Sequence, residues 1–342
     1  MDCHLLSHGI SIEKTSVHDC CLMRGEDKGR PYIIDITDNL VDWKELFLRK
    51  KQLKNIKTQN ESDCKGCLAL NDEEYDNDDY ISYINFNHWN ICNSKCIYCC
   101  DEYNGGDKYF NVLPLIKNLI DENYFKNSGE ITFQGGEPTI LPEFEDLLNL
   151  FINQKSKIRI HSSGIKFSEA VKSALSKDLV TIVISPDSGT SKTYQKIKRV
   201  NCFDKVWANI KNYALAQKSP DKVKVKYIII PGINDTIYEV NEWFKKCIES
   251  KINNIVIEVE GGFASSNKYD VPQVCMLIDY MIYTAEKIGL NHEFYDNAFY
   301  SVQKRTMPET SPDLLKNSRL FTEEYNKTKE NYKFQNRNYN CD

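Results

Sequence analysis

Between residues 80 and 260 the chain alternates between two hydrophobic rhythms. ISYINF, EITF, KIRIH, VTIVIS, KVKVKYIII and NIVIEV are short and rich in β-branched residues, most of them alternating apolar and polar, as strands do. Between them, LPLIKNLIDENYF, LPEFEDLLNLFINQ, FSEAVKSALSK, FDKVWANIKNYALAQ and EVNEWFKKCIES place apolar residues at helical spacing. Six strands alternating with helices predict an α/β fold built on a parallel sheet with helical crossovers. Such sheets gather ligands at the carboxyl ends of their strands. The turns that follow these strands are a cysteine loop, GGEP, SSG, the Ser185/Asp187 segment and PGIND. The pattern therefore opens all of them onto one face.

The flanks are less regular. RPYIID reads as a short strand, and VDWKELFLRKKQLKNI sets Trp43, Leu46, Phe47 and Leu53 near helical spacing. NDEEYDNDDY is acidic and without apolar period, which makes it a solvated linker. After Tyr295 the chain turns polar, with PDLLKNSRLFTEEYNKTKENY as a surface helix. The resulting division is a cysteine-rich domain at 1–70, a linker at 71–80, a core at 81–295 and an extension at 296–342.

Composition narrows the class. A hydrophobic content of 41% and a charged content of 27% are those of a soluble globular chain. A net charge of −5 opposes a general nucleic-acid surface. No apolar run reaches membrane-spanning length and no signal-peptide pattern opens the chain, so the expected location is cytoplasmic. Thirteen cysteines in a reducing compartment point to metal ligation rather than disulfides. Cys202, Cys247 and Cys275 stand singly in apolar or mixed stretches and read as small buried hydrophobes, and Cys341 as a frayed terminal thiol.

The loop Cys92-Asn-Ser-Lys-Cys96-Ile-Tyr-Cys99 brings three thiols close together. Four thiolates fill an iron–sulfur cube, so three leave one iron open to another ligand. A structural zinc site closes with four protein ligands. This spacing, with Tyr98 before the third cysteine and GGEP downstream, resembles the radical S-adenosylmethionine (SAM) enzymes. The resemblance implies a partial (β/α)6 TIM-like barrel, with Cys92, Cys96 and Cys99 holding a [4Fe–4S] cluster whose open iron is chelated by SAM. Reduction by a flavodoxin or ferredoxin would cleave SAM to a 5′-deoxyadenosyl radical, which takes hydrogen from a substrate. It also implies that Gly135, Gly136 and Glu137 meet the methionine amino group. Ser163 and Ser185 are candidate polar contacts, although Ser162, Ser163 and Ser185 read equally as helix caps. Arg199 is a candidate partner of the SAM carboxylate, and also an ordinary surface cation. Ile230 through Asn234 would pack on adenine opposite Tyr98.

Two more features stand outside that loop. Cys3, Gly9, the pair Cys20-Cys21, the Trp43 helix and Cys64-Lys-Gly-Cys67 resemble a reduced auxiliary-cluster module of the SPASM or twitch kind, which usually lies C-terminal. The resemblance implies a second [4Fe–4S] cluster on Cys3, Cys20 (or Cys21), Cys64 and Cys67; a structural zinc ribbon uses the same thiols. Glu258 and Glu260 alternate with Ile257 and Val259 at the last strand end, so both point to one face, as candidate substrate-binding or proton-transferring carboxylates. Carriers of the auxiliary module often act on peptides or proteins, which is the expected substrate class. A sugar, nucleotide or other small metabolite is the alternative. Outside the enzymes, an iron–sulfur electron-transfer protein or a structural zinc protein would share the cysteines but not need GGEP.

Overall fold

The computed structural model describes residues 3–18, 32–59, 75–76, 78–99, 106, 110–260 and 271–295. Two compact units divide it: Met1–Asn93, Cys99–Ser162 and Lys166–Ile182 form the first, and Ser94–Tyr98, Ser163–Ile165 and Val183–Asp342 the second.

In the first unit the chain runs α1 (His4–His8), β1 (Gly9–Ile12), β2 (Ser16–His18), β3 (Tyr32–Asp35), α2 (Trp43–Gln59), β4 (Ile81–Phe86), α3 (Leu113–Asp121), β5 (Phe125–Phe133), α4 (Phe144–Asn153), β6 (Lys157–Ser162) and α5 (Glu169–Leu175). Strands β6-β5-β4-β1-β2-β3 are neighbours in that order. β1, β4, β5 and β6 pair in parallel, and β2 and β3 add an antiparallel margin. The period-two pattern sorts the strands into faces. Phe86 of β4 stacks on Phe133 of β5 with ring centroids 4.9 Å apart, and Phe144 and Phe151 of α4 close over them edge-on. Each such buried side chain stabilises the fold by about 1.5–3 kcal/mol. This aromatic layer fixes the sheet against its helices.

The N-terminal residues depart from expectation. Those of 3–18 and 32–59 do not stand apart from the core but extend its sheet, with Gly9 opposite Tyr83 and Ile12 opposite Phe86. RPYIID forms β3 and the Trp43 stretch forms α2. Gly9 ends α1, where a Cβ would lie 2.9 Å from the Leu5 carbonyl oxygen, and its own carbonyl accepts a 2.6 Å bond from the buried Lys50 ammonium. A tight helix-to-strand step therefore accounts for this glycine. Cys3 is buried at the N-cap of α1. Cys20, Cys21, Cys64, Cys67 and most of the acidic stretch lie outside the described residues, as do 296–342.

The strand β7 (Val180–Ile184) contributes its first three residues to the first unit and its last two to the second. The second unit continues with α6 (Ser191–Lys198), α7 (Phe203–Ala216), β8 (Val223–Ile229), α8 (Ile237–Glu249), β9 (Asn254–Val259), α9 (Val271–Ile288) and β10 (Asn291–Tyr295). β8, β9 and β10 pair in parallel. Thr190 and Thr236 cap α6 and α8 through their side-chain oxygens, the ordinary role of threonine at a helix start. On one face of β8, Tyr227 meets Trp243 of α8 edge-on at 5.1 Å. On the other face, Lys224 pairs with Glu293 and Lys226 pairs with Glu258. Cys247 and Cys275 are buried as expected, whereas Cys202 is half-buried at the N-cap of α7. Among the described residues no helix is long and apolar enough to cross a membrane.

Candidate cofactor site

In the first unit the GGEP turn is fastened to the chain that leads into the cysteine loop. Gly136 N–H donates to the Trp89 carbonyl at 2.6 Å, Glu137 N–H donates to the Ile91 carbonyl at 2.9 Å, and the Trp89 indole donates to the Glu137 carbonyl at 3.0 Å. The glycines are required by this contact. A Cβ at Gly135, whose φ is +94°, would lie 2.6 Å from the Trp89 oxygen, and one at Gly136 would lie 2.3 Å from the Ile91 oxygen. Both glycines thus admit a close approach of the backbone at Trp89 and Ile91. The Gly136→Ala variant should lose most of its bound iron on reconstitution, because a Cβ there displaces Ile91, the residue before Cys92. Iron content equal to wild type would break this coupling.

Glu137 is buried, and its Oε1 accepts from Thr139 N–H at 3.1 Å, Thr139 Oγ1 at 2.6 Å and Ser162 Oγ at 2.9 Å. The carboxylate that sequence placed toward a ligand therefore has one oxygen joining the β5 turn to the end of β6. Ser162 is used here and not as a cap. Ser163 Oγ accepts from Ile165 N–H at 3.3 Å, and the cap of α5 is Ser168. Cys92 and Cys99 are half-buried in this unit. Four residues before Cys92, burial pushes the His88 imidazole down to about 3, so it is neutral.

In the second unit the loop segment carrying Cys96 is held by the end of α6. Lys95 N–H donates to the Lys198 carbonyl and Ile97 N–H to the Ile197 carbonyl, both at 3.0 Å. The side chain of Lys198 turns inward, only 3% exposed, and its ammonium lies 2.5 Å from Asp187 Oδ2 and 2.5 Å from the Tyr98 hydroxyl. That hydroxyl donates to the same Asp187 oxygen at 2.7 Å. Burial opposes the Lys198 charge, but Asp187, Cys96 and Tyr194 outweigh it and raise the lysine above its ordinary range. The other Asp187 oxygen accepts from Ile228 N–H at 2.9 Å, and Asn234 donates to the Asp187 and Ile228 carbonyls, both at 2.8 Å. Asp187 adopts φ 55°, a left-handed conformation that Asp and Asn enter most readily.

Sequence reasoning named Asp187 together with Ser185, and named Arg199 rather than its neighbour Lys198. Arg199 is exposed at the left-handed C-cap of α6 and Ser185 is half-buried, while Lys198 and Asp187 form the buried pair. A signal for Lys198 was available: it follows Tyr194 by four positions and Ile197 by one, on the helix face that goes inside. Ile230 is buried in one cluster with Ile197 and Ile228, against which Tyr98, Ile97 and Ile233 pack. Tyr98 and Ile230 therefore belong to the same packed group. Glu258 is half-buried and bonded to Lys226 at 2.9 Å; Glu260 is half-buried, its N–H bonded to the Ile229 carbonyl at 3.0 Å. Ile257 and Val259 are buried, as the alternation requires.

Among the described residues, no three His, Cys, Asp or Glu side chains converge as one bound ion would require. A cube asks for less convergence, because each thiolate binds a different iron. Three thiols at x3 and x2 spacing suit that demand by sequence; Cys92 follows Ile91, whose carbonyl holds the GGEP turn, and Cys96 stands between Lys95 and Ile97, which are bonded to the end of α6.

Residues 86–244 match a family model described as the Radical SAM superfamily. That segment is similar to the radical SAM superfamily. It is similar to the GTP 3′,8-cyclase of Psychromonas ingrahamii, 26% identical over 173 residues, which cover 49% of this chain and 50% of that one. It is also similar to the mycofactocin maturase MftC of Mycobacterium tuberculosis, 25% identical over 135 residues, covering 39% and 34% of the two chains. The chain thus spans half or less of the length of these curated relatives. Its fold is like that of Streptococcus suis SuiB bound to S-adenosylmethionine, with a TM-score of 0.52 at 17% identity over 78% of this chain and 59% of that one.

Proposed function

We propose that this chain holds a [4Fe–4S] cluster on Cys92, Cys96 and Cys99 and uses it, with SAM, to take a hydrogen atom from a substrate. The observation that carries the reading is the fastening of GGEP to residues 89–91, which ties the turn to the approach of the cysteine loop. When bound and reduced, the cluster supplies the electron that cleaves SAM to a 5′-deoxyadenosyl radical. The chain's own part is positioning. Gly135 and Gly136 let the turn lie on residues 89–91, and the Lys198–Asp187 pair holds the Tyr98 hydroxyl, so that Tyr98 and Ile230 would flank the adenine. Ser163, Ser185 and Arg199 are polar groups within reach of the strand ends, and Glu258 and Glu260 would contact the substrate. A flavodoxin or ferredoxin is the expected reductant, in the cytoplasm.

The N-terminal thiols Cys3, Cys20 (or Cys21), Cys64 and Cys67 would hold a second cluster, and with it a peptide or protein substrate is the first expectation. The curated relatives point both ways, naming a GTP cyclase and a maturase. Anaerobically reconstituted protein should convert SAM to 5′-deoxyadenosine with dithionite and carry about eight irons. The variant with Cys92, Cys96 and Cys99 all replaced by Ala should keep about half of that iron. A wild type that leaves SAM intact overturns the central reading; a triple variant with zinc or no metal removes only the second cluster.

A further inference from the structure

The segment around Cys96 carries a polar contact that holding a cluster does not by itself require. In the second unit Ser94 Oγ lies 3.4 Å from Cys96 Sγ, a hydrogen-bond length for an atom as large as sulfur. Both residues are buried, whereas Cys92 and Cys99 are half-buried. In a free thiol either atom of this pair can donate. A thiolate on iron has no proton to give, so there the serine hydroxyl is the donor and the sulfur the acceptor. Ligation thus fixes the direction of the bond.

The backbone holds the two side chains at that distance. Lys95 N–H bonds the Lys198 carbonyl and Ile97 N–H the Ile197 carbonyl, so both neighbours of Cys96 are anchored to the end of α6. Ser94 directly precedes the first of these anchors. The other charges near the sulfur come as a matched pair. Burial opposes the Lys198 ammonium, while Asp187 and Cys96 keep it protonated, and Asp187 Oδ2 lies 2.5 Å from it. That pair presents a dipole and not a net charge.

Reduction of an iron–sulfur cluster adds one negative charge, which spreads onto its ligand sulfurs. A hydrogen bond donated to one of those sulfurs stabilises the reduced form more than the oxidised form. In a buried site the effect is not screened by water.

We propose that Ser94 sets the reduction potential of the cluster through the sulfur of Cys96, holding it higher than the three thiolates alone would. The inference deepens the cluster reading above and rests on it. Ser94 is a positioning residue, acting through Cys96. Its proton stays on the serine oxygen, and the electron comes from the flavodoxin or ferredoxin already named as reductant.

The test is a redox titration of the reconstituted protein without SAM, followed by electron paramagnetic resonance of the reduced cluster. The relevant signal is the one that disappears when Cys92, Cys96 and Cys99 are all replaced by Ala. Ser94→Ala should lower the reduced-to-oxidised ratio at a fixed potential about threefold, the effect of one net hydrogen bond. At 59 mV per tenfold for one electron this moves the midpoint down by about 28 mV. Ser94→Thr keeps the hydroxyl and should return the midpoint toward wild type. Iron content should match wild type in both variants, since neither removes a thiolate. An unchanged or raised midpoint in Ser94→Ala would overturn the inference, as would a Ser94→Thr midpoint equal to that of Ser94→Ala. Loss of iron from Ser94→Ala would also overturn it, by making the serine a part of the loop's fold. Formation of 5′-deoxyadenosine by the same wild-type preparation separates the two claims. A shifted midpoint in a protein that leaves SAM intact removes the radical reading alone, and SAM cleavage with an unshifted midpoint removes this inference alone. A signal that survives in full in the triple variant takes the cluster away from Cys96 and removes both.

Discussion

Replacing Cys96 with alanine should bring 5′-deoxyadenosine formation down to background and lower the iron bound by the proposed first cluster. The segment around Cys96 is held from both sides, by Lys95 and Ile97 on the end of α6, so its thiol has a set position rather than a mobile one. If Cys92, Cys96 and Cys99 hold the cube as proposed, there is no thiolate to spare, and a cube held by two should not be retained in the geometry that presents an open iron. The fold itself should survive. The residue is small and the change removes one sulfur atom, a cost of about 1 kcal/mol. A urea melt close to wild type, together with lost SAM cleavage read by chromatography, separates the chemical effect from unfolding. Turnover equal to wild type in this variant would remove Cys96 from the cluster.

Lys198→Met should destabilise the protein by about 3–5 kcal/mol, because it leaves Asp187 charged and without its cation at a fully buried site. Asp187→Asn should cost a comparable amount by stranding the ammonium, while keeping the left-handed backbone that Asn tolerates. The double variant Lys198→Met/Asp187→Asn should be more stable than the sum of the single losses predicts, since neither charge is then left alone. Urea denaturation of the four proteins measures this coupling. Additive losses would mean that the two groups do not act as a pair. The single variants should also loosen the Tyr98 ring, whose hydroxyl bonds both partners, and so weaken SAM binding more than iron binding.

The elements around the site were legible because their signals are local. The six strands from β4 to β9 follow from the alternation or density of β-branched residues within each run, and the helices between them from apolar spacing. The cysteine loop and GGEP declare themselves within a few residues. The faces of the sheet follow as well: an apolar row of Ile12, Phe86, Phe133 and Ile160 beside a polar one is a direct consequence of period two.

What sequence could not reach is pairing across long separations. β1 has four residues, too few for a period to show, and it becomes a strand because Ser11 finds Asn85 some seventy positions later. Gly9 at the start of β1 and Cys3 at the N-cap of α1 stand next to this strand, a placement that no local pattern in the sequence announces. The purpose of Gly135 and Gly136 was also hidden: the atoms a Cβ would strike belong to Trp89 and Ile91, and only folding brings them there. Lys198 and Arg199 are adjacent cations that differ by about 100° around the helix axis. That rotation, together with Asp187 waiting at the end of β7, sends one into the protein and leaves the other in water. Local pattern thus determined which elements form and which chemistry they carry, while the contacts between distant segments decided which residues hold that chemistry in place.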